Sequence, residues 1–212
     1  MYRNVILSSG GFKTEGYLED LLNIMGCTDS TTTFYGSSMG AFWAVGASFG
    51  KEVLMSMIVK AKRYVEDVRE SWIQNFGTCQ SRMRDILVDT LPEDITPVQN
   101  RCIVKVTELS WTQPYVTPIQ IRTYNDKDDL INVVMSSMYV PIFSCLTVTN
   151  YCRGKFVIDG CVTEFYLDDV ELPSSITLHY KKIINNNFPF IDFLSPICKE
   201  DGVTIDGRFL IN

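Results

Sequence analysis

Histidine is almost absent from this sequence. The 212-residue chain has one, His179, so any serine-histidine-acid triad has a single candidate for its base. Cysteine offers no framework either: there are seven, an odd number, and no Cys-x-x-Cys pair. That argues against a disulfide scaffold and a zinc ribbon. No Asn-x-Ser/Thr acceptor occurs, and the apolar run Val5-Ile6-Leu7 is too short for a signal-peptide core. The expectation is a reducing, intracellular, cytoplasmic setting, with at most peripheral attachment to membranes.

Positive charge is in deficit. Nineteen Lys and Arg stand against 25 Asp and Glu, a net charge of −6, and the pI is about 4.8. A nucleic-acid partner, which needs clustered Lys and Arg, is not expected. Long apolar segments are scarce too. Leu130 to Cys152 carries no charge over 23 residues, long enough to span a bilayer. Asn132, Ser136, Ser137, Pro141, Ser144 and Asn150 interrupt it, however. It reads as a buried helix, a turn at Pro141 and a loop, so no transmembrane segment is expected.

What is present is ordinary globular composition, 46% hydrophobic and 21% charged. Asn4 to Ser8 is a short apolar run stopped by Gly10-Gly11, as in a buried strand entering a turn. Leu18, Leu21, Leu22 and Met25 recur at helical spacing, and Thr31 to Tyr35 is β-branched and aromatic. Ala41 to Phe49 reads as a buried helix. Val53 to Trp72 repeats apolar residues every three or four positions, as an amphipathic helix packed on a core does. A short helix over 81–91 ends at Pro92. Cys102 to Leu109 alternates like a strand, and Tyr115 to Tyr124 is extended, its Pro114 and Pro118 marking an edge. Asn125 or Asp126 caps a helix running through Ser137, and strands follow at Lys155–Ile158 and Ile176–Tyr180. Alternating strands and helices predict an α/β fold with a mainly parallel sheet.

Three motifs carry chemistry. Gly36-x-Ser38-x-Gly40 lies between a strand and an apolar helix. A sharp turn there exposes the central serine, and the small flanking residues let the two backbones approach. Ser9-Gly10-Gly11-Phe12-Lys13 follows the first strand, where free backbone N–H groups can hold an oxyanion. It is not a phosphate loop: Leu7 and Phe12 occupy the positions where that motif needs glycine. The dinucleotide fingerprint fails on the spacing of Gly10, Gly11 and Gly16. Third, Asp159 ends a strand and precedes Gly160. A carboxylate there would stand at the same sheet edge as the serine. Two bases for Ser38 therefore remain. The order Ser38, Asp159, His179 matches a hydrolase triad, but His179 sits inside a strand-like run. Asp159 acting alone would be a weak base in water, and burial beside Phe156-Val157-Ile158 would strengthen it.

Taken together, these residues resemble the patatin-like phospholipase family. The glycine loop, the serine elbow and Asp159-Gly160-Cys161 occur in that family's order. Ser136-Ser137-Met138-Tyr139-Val140-Pro141 is similar to its small-Ser-x-x-x-Pro helix end. Arg153 to Gly160 is similar to its adipose triglyceride lipase and adiponutrin branch. The resemblance covers roughly residues 4–180. It implies a three-layer α/β/α acyl-hydrolase domain over 1–180, with 181–212 as an extension packing on it. It also implies a Ser-Asp dyad of Ser38 and Asp159 that needs no histidine, cofactor or metal. The oxyanion hole would be formed by Gly10, Gly11 and Phe12, with Gly36, Gly40 and Gly160 as motif glycines. The substrates would be fatty-acyl esters of phospholipids or glycerides at a membrane or droplet surface. Ser9, Thr14 and Cys161 depart from the family pattern, and the larger side chains of Ser9 and Thr14 would narrow the loop. The alternative is a weak or inactive patatin-like module that binds lipid or protein.

Overall fold

The structure, a computed structural model, describes residues 3–70, 77–141, 144, 150–166 and 175–178. His179, the candidate triad base, and the extension 181–212 lie outside them. Among the described residues seven strands form one mixed sheet: β1 (Asn4–Leu7), β2 (Thr33–Ser37), β3 (Cys102–Leu109), β4 (Val116–Ile121), β5 (Tyr151–Cys152), β6 (Lys155–Ile158) and β7 (Ser175–Leu178). The helices are α1 (Leu18–Ile24), α2 (Met39–Phe49), α3 (Lys51–Glu70), α4 (Cys79–Thr90) and α5 (Lys127–Ser137), with a 3-10 helix over Gly11–Tyr17 ahead of α1.

The expected α/β class stands, but the sheet is only half parallel. β7, β1, β2 and β3 run parallel. β4 and β6 pair β3 antiparallel, and β5 pairs β6 antiparallel. Connection length is the reason, since a parallel neighbour needs a crossover of a dozen or more residues. The last ladder pair of β3 and β4 is Leu109 with Val116, and β5 and β6 are joined by Arg153-Gly154 alone. Both of those residues have positive φ, 52° and 78°, as a two-residue hairpin turn of the primed type requires.

The register around β3 decides where the functional residues meet. Along Cys102–Lys105 one edge of β3 is taken by β2, ending at Ser37 opposite Lys105. The other edge, from Val104 to Leu109, is taken by β4. Thr107 and Glu108 also pair Ile158 and Val157 of β6. Their β4-side edge is already occupied, so β6 lies on the β2 side, in line beyond the end of β2. The C-terminal ends of β2 and β6 therefore face each other near the level of Val106.

The core sits between this sheet and α2. Every residue of α2 from Met39 to Ser48 is buried, as expected of a helix apolar all round. α3 and α5 pack on α2, and α4 packs on both. The amphipathic reading of α3 thus resolves as core packing, with Leu54, Met57, Ile58, Ala61 and Tyr64 buried. Asp126 caps α5, its Oδ1 accepting from the Asp129 N–H at 2.8 Å. Among the described residues no helix is long and apolar enough to cross a membrane.

Candidate active site

Ser38 occupies the single residue between β2 and α2. Its backbone has φ 53° and ψ −130°, a conformation costing a non-glycine residue about 1–3 kcal/mol. The flanking glycines are dictated by close approach. A Cβ on Gly36 would strike Gly40 O and Ala41 N, and one on Gly40 would strike the carbonyls of Leu7 and Ser8. The end of β1 is therefore pressed against the first turn of α2, which brings the glycine loop following β1 next to Ser38.

Asp159 follows the last residue of β6 and is 2% exposed. The Ser38 hydroxyl donates to its Oδ2 at 2.7 Å. The other carboxylate oxygen, Oδ1, accepts the Cys161 N–H at 2.8 Å; that bond comes from the backbone, so a cysteine at 161 serves as well as glycine. The main chain of Asp159 is held at both ends. Its N–H donates to Tyr139 O at 2.9 Å, and its carbonyl accepts from Thr107 Oγ1 at 2.9 Å. Serine and carboxylate, 121 positions apart in the chain, are thus in direct contact.

In the glycine loop, Gly10 and Gly11 take positive φ, 155° and 53°. Gly11 and Phe12 open the 3-10 helix Gly11–Tyr17, where the first amides of a helix have no intrahelical acceptor. Phe12 anchors the loop edge-on against Tyr64 of α3, at a 5.9 Å ring separation. Thr14 proves to be a strut. Fully buried, its hydroxyl donates to Gly11 O at 2.8 Å and accepts the Trp43 indole N–H at 2.8 Å. The narrowing expected from this departure is thereby given a structural use: it ties the loop to α2.

In the sequence Ser137 stands out only as part of a helix-end motif. In the fold its Oγ accepts the Ser38 N–H at 2.9 Å and donates to Lys105 O at 2.5 Å. The signal available was a serine pair just before the Met138–Pro141 helix end. Among the described residues no group of three or more His, Cys, Asp or Glu side chains could hold a metal ion. Among the described residues Cys27, Cys79, Cys102, Cys152 and Cys161 form no disulfide, and burial pushes the Cys102 thiol up to about 12.

No protein-family model matches the chain. It is 26% identical over 62% of its length to 1-acylglycerol-3-phosphate O-acyltransferase Pnpla3 of Mus musculus. It is also 26% identical, over 61% of its length, to Patatin-like phospholipase domain-containing protein 4 of Homo sapiens. The matches cover 32% and 51% of those proteins, so the chain spans a third to a half of the curated relatives it matches. Among solved structures, VipD from Legionella pneumophila is similar over 75% of this chain and 46% of its own, with a TM-score of 0.37 and 13% identity.

Proposed function

We propose that this chain is a patatin-like lipid acyl hydrolase that cleaves fatty-acyl esters of phospholipids or glycerides. The observation that carries the reading is the 2.7 Å hydrogen bond from the Ser38 hydroxyl to buried Asp159. Ser38 attacks the ester carbonyl while its proton passes to Asp159. The amides of Gly10, Gly11 and Phe12 hold the oxyanion, each contributing about 3 kcal/mol to lowering the barrier. Asp159 then returns the proton to the leaving alcohol, and an acyl-Ser38 ester remains. Water, giving its proton to Asp159, attacks that ester, and the fatty acid leaves as Ser38 regains its hydrogen. The reaction needs no histidine.

A lipid ester is taken from an interface. Beyond the end of β2, β3 continues into the hairpin that carries Trp111, 89% exposed, and Tyr115, 58% exposed. These two side chains lie past Leu109, in the direction in which β2 also runs, and amphipathic aromatic rings suit a membrane-water boundary. This supports a peripheral enzyme working at a membrane or droplet surface. An acyl-enzyme can also pass its acyl group to an alcohol instead of water. One relative, named as an O-acyltransferase, makes that the second reading.

The test is covalent labelling by a fluorophosphonate, followed by mass spectrometry of lipids released from mixed acyl esters. Wild type is expected to be labelled at Ser38 and to release free fatty acid. Asp159→Asn is expected to lower release by at least about 100-fold. Acylated lysolipid in place of free acid would favour transfer. Wild-type turnover no faster than Ser38→Ala would leave a binding module and overturn the proposal.

A further inference from the structure

We propose that Ser137, at the C-terminal end of α5, is a positioning residue that sets the geometry of the Ser38–Asp159 pair; this rests on Ser38 being the nucleophile. The Ser38 backbone is in a left-handed conformation, φ 53°, which relaxes unless its surroundings over-determine it. The peptide N–H of Ser38 is the group that fixes the turn from the strand side, and its acceptor is the Ser137 hydroxyl at 2.9 Å. That hydroxyl is itself oriented. Ser137 is fully buried, and its own proton is committed to Lys105 O at 2.5 Å. Lys105 is the β3 residue opposite the last residue of β2. One oxygen therefore bolts the elbow to the strand beside it.

The same oxygen also bounds the base. Gly160 lies so close that an added Cβ would be 3.0 Å from Ser137 Oγ and would strike Lys105 O. Asp159-Gly160 thus rests on the surface formed by the Ser137 hydroxyl and the carbonyl it engages. Two residues further along, Tyr139 O accepts the Asp159 N–H at 2.9 Å. The C-terminus of α5 thereby holds the nucleophile through Ser137, and the residues just after it hold the base through Tyr139. Both halves of the pair, brought in by separate strands, are referenced to the three-residue stretch Ser137–Tyr139. Neighbouring Ser136 gives the contrast: it is equally buried, but its Oγ accepts from Asn150 Nδ2 at 3.0 Å, with no bond to the elbow.

The test compares the rate of fluorophosphonate labelling per folded molecule in wild type, Ser137→Ala and Ser136→Ala, with kcat and KM on a soluble acyl ester. Ser137→Ala is expected to label and turn over about 10- to 100-fold more slowly, with KM unchanged to within about twofold, because a small misplacement of the nucleophile is felt in the chemical step. Ser136→Ala is expected to stay within about twofold of wild type on every count. Equal labelling of Ser137→Ala and wild type would overturn the assignment. Absence of labelling in wild type is a different failure and sinks the reading of Ser38 itself. Should Ser137→Ala not fold, Ser137→Thr and Ser137→Val decide, being alike in shape with and without the oxygen. Faster labelling in Thr supports the role; equal rates, or two unfolded variants, overturn it.

Discussion

Thr14 shows how one side chain changes meaning between sequence and fold. Read along the chain, it is a bulky residue where the resemblance leads one to expect glycine. In the structure it is fully buried and satisfies a carbonyl of the glycine loop and the indole of Trp43 at once. Removing the hydroxyl strands the Trp43 N–H in a site 3% exposed. Thr14→Ala is expected to cost about 1–3 kcal/mol, measured by urea unfolding, and Thr14→Ser to recover most of it. An unchanged midpoint in Thr14→Ala would mean that the indole has another partner. Asp159 and Gly160 were legible from their place at a strand end. The role of Ser137 was not: its local spacing marks only a helix end, and the partners of its hydroxyl lie 99 and 32 residues away.

At the scale of elements, β3 departs most from its reading. Its sequence alternates polar with apolar, yet Cys102 to Thr107 are all buried. Buried Thr107 faces site partners, not water, bonding Asp159 O and Thr163 Oγ1. Alternation reports side-chain chemistry, and only packing shows which faces are covered. The β3–β4 hairpin offers the element-scale test. From Leu109 to Ile121 it carries no charge, and its tip exposes Trp111 and Tyr115. Replacing both by Ala is expected to weaken binding to phosphatidylcholine vesicles about tenfold in co-sedimentation, leaving hydrolysis of a soluble ester unchanged. Equal sedimentation of variant and wild type would remove the hairpin from the membrane reading.

For the whole molecule, acid response is set in part where the β5–β6 turn meets α5. Arg153 grips Asp129 with two nitrogens, at 2.6 and 3.1 Å. Burial pushes the Asp129 carboxyl up, but the hydrogen bonds from Arg153 and the Asn125 N–H, with the guanidinium charge, outweigh it. The net result holds that carboxyl below the usual carboxylate range. The folded state thus binds fewer protons here than the unfolded chain. The stabilisation is full above the ordinary aspartate pKa of ~3.9 and is lost as pH falls through the lower folded value. Arg153→Met is expected to cost about 1 kcal/mol at pH 7 and less at pH 3, by urea unfolding at both. A cost that grows in acid would contradict the sign.

Local features were the sequence's to determine. Strand and helix periods, a cap at Asn125 or Asp126, the glycines at the elbow and the short list of a serine and a carboxylate all follow from which neighbours each residue can tolerate. The tertiary structure alone decided that β6 returns antiparallel along β3, on the edge where β2 stops. That outcome depends on hydrogen bonds between strands far apart in the chain. It is this register, invisible to any window of local sequence, that puts the Ser38 hydroxyl against Asp159.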